Sequence, residues 1–179
     1  YEQQGFNAKP ELVGTVSDLQ SRKDLMMGSD GRPVVMYRGV TSEEFARQFK
    51  GLGEEGAVHY PGRGIFGNGT YAAAPDDAAP QTTAAAPIKT AKAYASDTKD
   101  LNVKITAFGL RADANVVRFP GTDTKERMAA WDKWYDETLE EAERKTGYKY
   151  KDLGEAAAAL GIHAYETPQR GEDYFVILN

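Results

Sequence analysis

The sequence predicts an α+β domain, a mixed sheet of short strands with helices beside it. Three observations carry that expectation. Short apolar runs bounded by turn residues recur at 34–38, 103–110, 162–166 and 173–178. One long stretch, 123–146, repeats Met128, Trp131, Tyr135, Leu139 and Ala142 at three- and four-residue steps and stops at Gly147. Strands and helices follow one another irregularly, and no internal repeat orders them.

Taken in order, residues 1–16 hold Pro10 and Gly14, which argue against a long helix. Ser17-Asp18-Leu19-Gln20 has capping-box spacing and predicts a short helix ending near Gly28. Ser29-Asp30-Gly31-Arg32-Pro33 is a turn cluster ahead of the 34–38 strand, which ends on Tyr37-Arg38 and is bounded by Gly39. Thr41-Ser42-Glu43-Glu44 predicts a helix with Phe45, Phe49 and Leu52 on one face, ended by 51–56. Residues 57–60 read as a short strand carrying His59. Ala, Pro and Thr dominate 75–90, which predicts a mobile surface loop, and 90–95 reads as a short helix. After the 103–110 strand, 114–119 either extends the sheet or crosses over. The long helix presents Met128, Trp131 and Tyr135 to the core and leaves its Glu and Lys residues in solvent. An Ala-rich helix spans 152–160 and is stopped by Gly161. A turn at 168–171 then leads into the last strand.

A chain of 179 residues is most simply one domain, 1–179, large enough for a proper core. A helical lead-in over 1–33 precedes the main body at 34–179. The net charge of −5 and the lack of a long basic run argue against an electrostatic nucleic-acid binder. No apolar run is long enough to span a bilayer, and no signal peptide is present. Cysteine is absent, which excludes disulfides and thiol catalysis. The two histidines, His59 and His163, stand far apart, so a Ser-His-Asp triad or a metal site has little support. The start at Tyr1 and the stop just after a terminal apolar run fit either a domain excised from a longer protein or a chain trimmed at its ends.

The stretch 62–74 stands out. Four glycines fall within the eight residues Gly62-Arg63-Gly64-Ile65-Phe66-Gly67-Asn68-Gly69, followed by Thr70 and Tyr71. Such a backbone can take positive φ and let a ligand approach closely. It lacks the Lys-Ser/Thr pair of a phosphate-binding P-loop and the long helix of a dinucleotide fingerprint. A plain turn before a short strand is the competing reading.

Three segments together resemble the ADP-ribosyltransferase superfamily over roughly residues 34–179. Gly67-Asn68-Gly69-Thr70-Tyr71-Ala72 resembles the second motif of the H-Y-E branch, in which a tyrosine stacks on nicotinamide. Tyr37-Arg38-Gly39 resembles the first motif of the R-S-E branch, whose arginine holds NAD. Asp173-Tyr174-Phe175-Val176 resembles the third motif, an acidic residue followed by an apolar strand. Further segments, 91–95 and 157–164, resemble transferase domains embedded in phage structural and polyvalent proteins. The chain departs from both branches: it has no Ser-Thr-Ser at the second motif and has Arg38 where the H-Y-E branch has histidine.

The resemblance implies an ADP-ribosyltransferase-like split mixed sheet with flanking helices. It implies an NAD-dependent mono-ADP-ribosyltransferase that cleaves the nicotinamide–ribose bond, with NAD as substrate and a protein as acceptor. A nucleic-acid acceptor is less expected. Arg38, Gly39, Gly67, Gly69, Thr70 and Tyr71 would bind NAD, and Glu172 or Asp173 would serve catalysis with Tyr71. Asp173 is favoured by alignment on the strand and Glu172 by the superfamily's use of glutamate. No metal is required, and neither is a membrane. A monomeric domain of a larger, virion-associated or host-delivered protein fits the same resemblance. A glycohydrolase at the same site, or an inactive binding or virion-structural module, are the alternatives.

Overall fold

The computed structural model describes residues 11–12, 22–40, 66–76, 87–91, 104–169 and 172–178. The expected helix at 41–52, the strand at 57–60 with His59, and most of the 75–90 loop lie outside those residues.

The described strands form one sheet. They are β1 (Glu11–Leu12), β2 (Met36–Val40), β3 (Thr70–Pro75), β4 (Lys104–Gly109), β5 (Val116–Val117), β6 (Ala164–Gln169) and β7 (Glu172–Ile177). Their spatial order is β1-β4-β2-β3-β7-β6-β5. The five central strands have five or six residues each, and a two-residue strand stands at either edge. Every neighbouring pair is antiparallel except β5 with β6. With helices beside it, this is the expected α+β architecture.

The middle of the sheet is thin. β3 and β7 are in register over six pairs, from Thr70 opposite Ile177 to Pro75 opposite Glu172. β2 and β4 are in register over five. β2 and β3 meet at one pair, Tyr37 opposite Ala73. The sheet is therefore continuous, with its shortest ladder among the five central strands between β2 and β3.

Helix α1 (Thr124–Thr146) forms where the sequence supplies both caps. The Asp123 carboxylate accepts from the Lys125 and Glu126 amides at 2.9 and 3.2 Å. Gly147, at φ 75°, closes the other end by donating to the Glu143 carbonyl at 2.8 Å. Its inward stripe is the expected one except at Met128. Met128 is 41% exposed, while Arg127, Thr138 and Ala142 are buried. Trp131, Trp134 and Tyr135 pack with Tyr165, Val176 and Leu153. Helix α2 (Leu153–Ala159) is capped by Asp152, and Gly161 follows at φ 78°.

Two other expectations are corrected. Residues 22–28 are not the end of a helix. The Met26 amide donates to the Leu110 carbonyl and the Ala112 amide to the Asp24 carbonyl, both at 2.8 Å. These bonds hold the segment extended beside the continuation of β4, where Leu25 and Met26 enter the core. Residues 87–91 are helical, so the part of the expected loop that is described, 87–90, has regular structure. Ile88 and Ala91 pack against Leu25, Val35 and Tyr37. No helix among the described residues is long and apolar enough to cross a membrane.

Candidate functional site

Strand alternation sorts the candidate residues. Register places Tyr71, Ala73 and Pro75 of β3 opposite Val176, Tyr174 and Glu172 of β7, so these side chains leave one face of the sheet. Arg38 and Asp173 leave the other, each one residue out of step with that set. Thr70 is buried at the start of β3, and Gly39 lies opposite Ile105 in β2.

On the first face Glu172 is half-buried, with its carboxylate held by two hydroxyls. Thr90 Oγ1 donates to Oε1 and Oε2 at 2.8 and 2.9 Å, and Tyr174 Oη donates to Oε1 at 2.8 Å. A row of rings leads away from it. Tyr174 lies 6.0 Å from Phe66, and Phe66 lies 6.5 Å from Tyr71 in a stacked arrangement and 5.9 Å from Trp131 edge-on. Tyr71 and Glu172 are separated by four residue steps along the strands, about 13 Å at the usual strand rise. Phe66 and Tyr174 fill that interval. Among the described aromatic rings, Tyr174 is the one hydrogen-bonded to the carboxylate.

Arg38 approaches from the other face but meets the same strand. Its Nη1 donates to the Tyr71 backbone carbonyl at 2.8 Å, beside the thin joint of the sheet. The structure thus brings Arg38 to the backbone of Tyr71 and leaves it off the face that carries Glu172.

Asp173 has a different environment. It is 1% exposed and takes both terminal nitrogens of Arg127, Oδ1 from Nη1 at 3.1 Å and Oδ2 from Nη2 at 2.9 Å. Arg127, also 1% exposed, further reaches Asp76 at 3.0 Å, Glu166 at 3.1 Å and the Phe119 carbonyl at 2.6 Å. Burial works against the guanidinium's charge, but the hydrogen bonds and charges of Asp173 and Glu166 outweigh it and hold Arg127 above its ordinary pKa. This forked, buried pair ties α1 to β7, and both oxygens of Asp173 are turned inward to it. Of the two expected carboxylates, Asp173 is thus buried against Arg127 and Glu172 is the more accessible.

The glycine loop also differs from its expected use. Gly67 sits at φ 112°, and a Cβ there would fall 2.2 Å from Tyr165 Oη and 2.8 Å from the Gly154 amide nitrogen. At Gly69 a Cβ would meet Val176 Cγ1 at 2.6 Å. The room made by these glycines is taken by the protein itself. Asp152, the cap of α2, accepts from the Asn68 amide at 3.1 Å on each oxygen, which docks the loop on α2. The Tyr71 hydroxyl donates to the Gly67 carbonyl at 2.5 Å and accepts from the Phe66 amide at 3.0 Å. Tyr165 Oη donates to the Phe66 carbonyl, and burial pushes that phenol above its ordinary pKa.

Sequence reasoning passed over Thr90, Phe66 and Tyr174. Tyr174 was accessible to it, since a residue two along from Glu172 must share its face. Thr90 comes from a segment 82 residues away in the chain, and nothing local announces it. No protein-family model, no curated protein and no solved structure matches this chain.

Proposed function

We propose that this chain is an ADP-ribosyltransferase-like domain that cleaves the nicotinamide–ribose bond of NAD and passes ADP-ribose to a protein acceptor. The observation that supports it is the row Tyr71–Phe66–Tyr174–Glu172 on one face of the sheet, ending in a carboxylate fixed by two hydroxyl donors. The reaction passes through an oxocarbenium-like state, as glycoside cleavage does. A fixed carboxylate stabilises that charge without reorganising. In this reading Glu172 has that task. An aromatic face, Tyr71 or the nearer Tyr174, stacks on the nicotinamide ring. Arg38 leaves the opposite face of the sheet, where it holds the Tyr71 carbonyl, and takes no part in that row. Asp173 keeps α1 in place.

The test is nicotinamide release from NAD by the purified chain, with melting followed in parallel. Glu172→Gln should lower turnover by roughly 10²–10³-fold with little change in melting. Asp173→Asn should lower the melting temperature first. A wild-type chain that releases no more nicotinamide than Glu172→Gln rejects the proposal. Transfer of labelled ADP-ribose onto protein separates a transferase from a glycohydrolase.

One observation favours a second reading, a binding or virion-structural module on the same architecture. The spaces beside Gly67 and Gly69 are filled by Tyr165 and Val176, and the Tyr71 hydroxyl is bonded within the loop. NAD binding without turnover, or no binding at all, is the outcome expected of that module.

A further inference from the structure

Phe66 stands in the middle of the aromatic row. Its ring lies 24° from the plane of Tyr71, 35° from that of Tyr174 and 88° from that of Trp131, at 6.5, 6.0 and 5.9 Å. Two rings thus lie nearly parallel to it and the third stands across, so three walls of a box surround the Phe66 ring. The box reaches the surface, since Phe66, Tyr71, Trp131, Tyr174 and Glu172 are each half-buried. Beside Tyr174, the Glu172 carboxylate has hydroxyl partners and, among the described residues, no ion pair.

Two observations set Phe66 apart from an ordinary core ring. First, it lies outside any strand or helix, and its backbone is tethered by side chains. The Phe66 amide donates to Tyr71 Oη at 3.0 Å, and its carbonyl accepts from Tyr165 Oη. Gly67 follows at φ 112°, and a few loop residues suffice to absorb the backbone change when a segment swings. Second, the indole N–H of Trp131, in the wall of the box, is buried without a hydrogen-bond partner. An unmade bond at a buried donor is costly, and such a group in a folded chain needs a cause.

We infer that Phe66 occupies the ligand position of its own chain, so that this structure is the closed state of the site. A flat six-membered ring of the same size enters when Phe66 swings out, and an acceptor on that ring takes the Trp131 N–H. The inference rests on the NAD reading for the identity of the ring, nicotinamide, whose amide carbonyl is the acceptor. The apparent affinity of such a site is its intrinsic affinity reduced by the fraction of chains that are open. Loosening Phe66 therefore strengthens binding. A Phe66 that only builds the site predicts the opposite sign.

The experiment is titration of the full chain with nicotinamide, followed by the NMR signal of the Trp131 indole N–H, which Trp131→Phe identifies. Tyr165→Phe keeps its ring and removes the donor to the Phe66 carbonyl, so binding should tighten roughly 2- to 12-fold, the worth of one hydrogen bond. Phe66→Ala should bind at least as tightly as Tyr165→Phe, although it melts lower. In both variants the Trp131 signal should shift as nicotinamide is added. Binding no tighter than wild type in both variants, or absent from all three chains, overturns the inference. So does saturation that leaves the Trp131 signal in place. Tighter binding with no release of nicotinamide from NAD supports the closed site and rejects the cleavage reaction.

Discussion

Replacing Arg127 by Ala is the sharpest probe of how this fold is held. The guanidinium is 1% exposed and makes five contacts within 3.1 Å, to Asp76, Glu166, the Phe119 carbonyl and, twice, Asp173. Removing it leaves three carboxylates in a space that water barely reaches, since Asp76, Glu166 and Asp173 are 5%, 0% and 1% exposed. Breaking a buried pair from one side costs about 3–5 kcal/mol, because the remaining charge stays desolvated. A domain of this size loses about 2–4 °C of melting temperature per kcal/mol. The variant should therefore melt roughly 6–20 °C below wild type. Arg127→Lys keeps the charge but not the planar fork, so it should fall between the two. The assay is thermal melting by circular dichroism at neutral pH. A drop of under about 2 °C for Arg127→Ala would refute the argument that this cluster anchors α1 to β6 and β7.

Gly154→Ala should destabilise by about 1–3 kcal/mol, although Ala normally favours a helix, because its Cβ would fall 2.0 Å from the Asn68 carbonyl oxygen. A higher melting temperature in that variant would reject the close contact of α2 with the glycine loop. Asp152→Ala should cost about 0.5–2 kcal/mol through the lost cap, and hydrogen exchange should rise at the Asn68 and Glu155 amides, which it accepts from. Burial raises the pKa of both Tyr37 and Tyr165. The unfolded chain gives up these protons above about pH 10 while the folded chain holds them to higher pH, so stability is whole below that pH and falls as pH rises, by at most about 1.4 kcal/mol per unit for each tyrosine. Urea midpoints from pH 9 to 11 measure this, and the slope should shrink in Tyr165→Phe.

Local signals carried the helices well and their inward faces less well. Asp123 and Gly147 bracket α1 because caps are chosen by the helix's own unpaired amides and carbonyls. The stripe departs from expectation at its start because Met128 is apolar and Arg127 is charged. Arg127 is buried by carboxylates from three other segments, the nearest of them 39 residues away in the chain. Residues 22–28 misled for the same reason: a capping-box pattern is local, and the strand-like pairing of Leu25 with Arg111 is not. At the last strand Glu172 and Asp173 leave opposite faces, as neighbours on an extended strand must. Which of the two faces inward was decided by Arg127, and no residue near the strand encodes that choice.

The joint between β2 and β3 shows how a sequence feature read as ligand-binding can first be architectural. Continuing the ladder two residues past Tyr37 and Ala73 would set Gly39 opposite Tyr71. At that point the Arg38 side chain donates to the Tyr71 carbonyl at 2.8 Å. A buried carbonyl must find a donor, and a side chain that supplies one lets two strands part without leaving the group unsatisfied. Gly39 meanwhile stays paired with Ile105 on the other side of β2. Arg38 therefore stabilises the place where the sheet thins, whatever else it contacts. Arginine suits this place because its planar guanidinium presents fixed donors toward the Tyr71 carbonyl, which a lysine's single ammonium on a flexible stem does not.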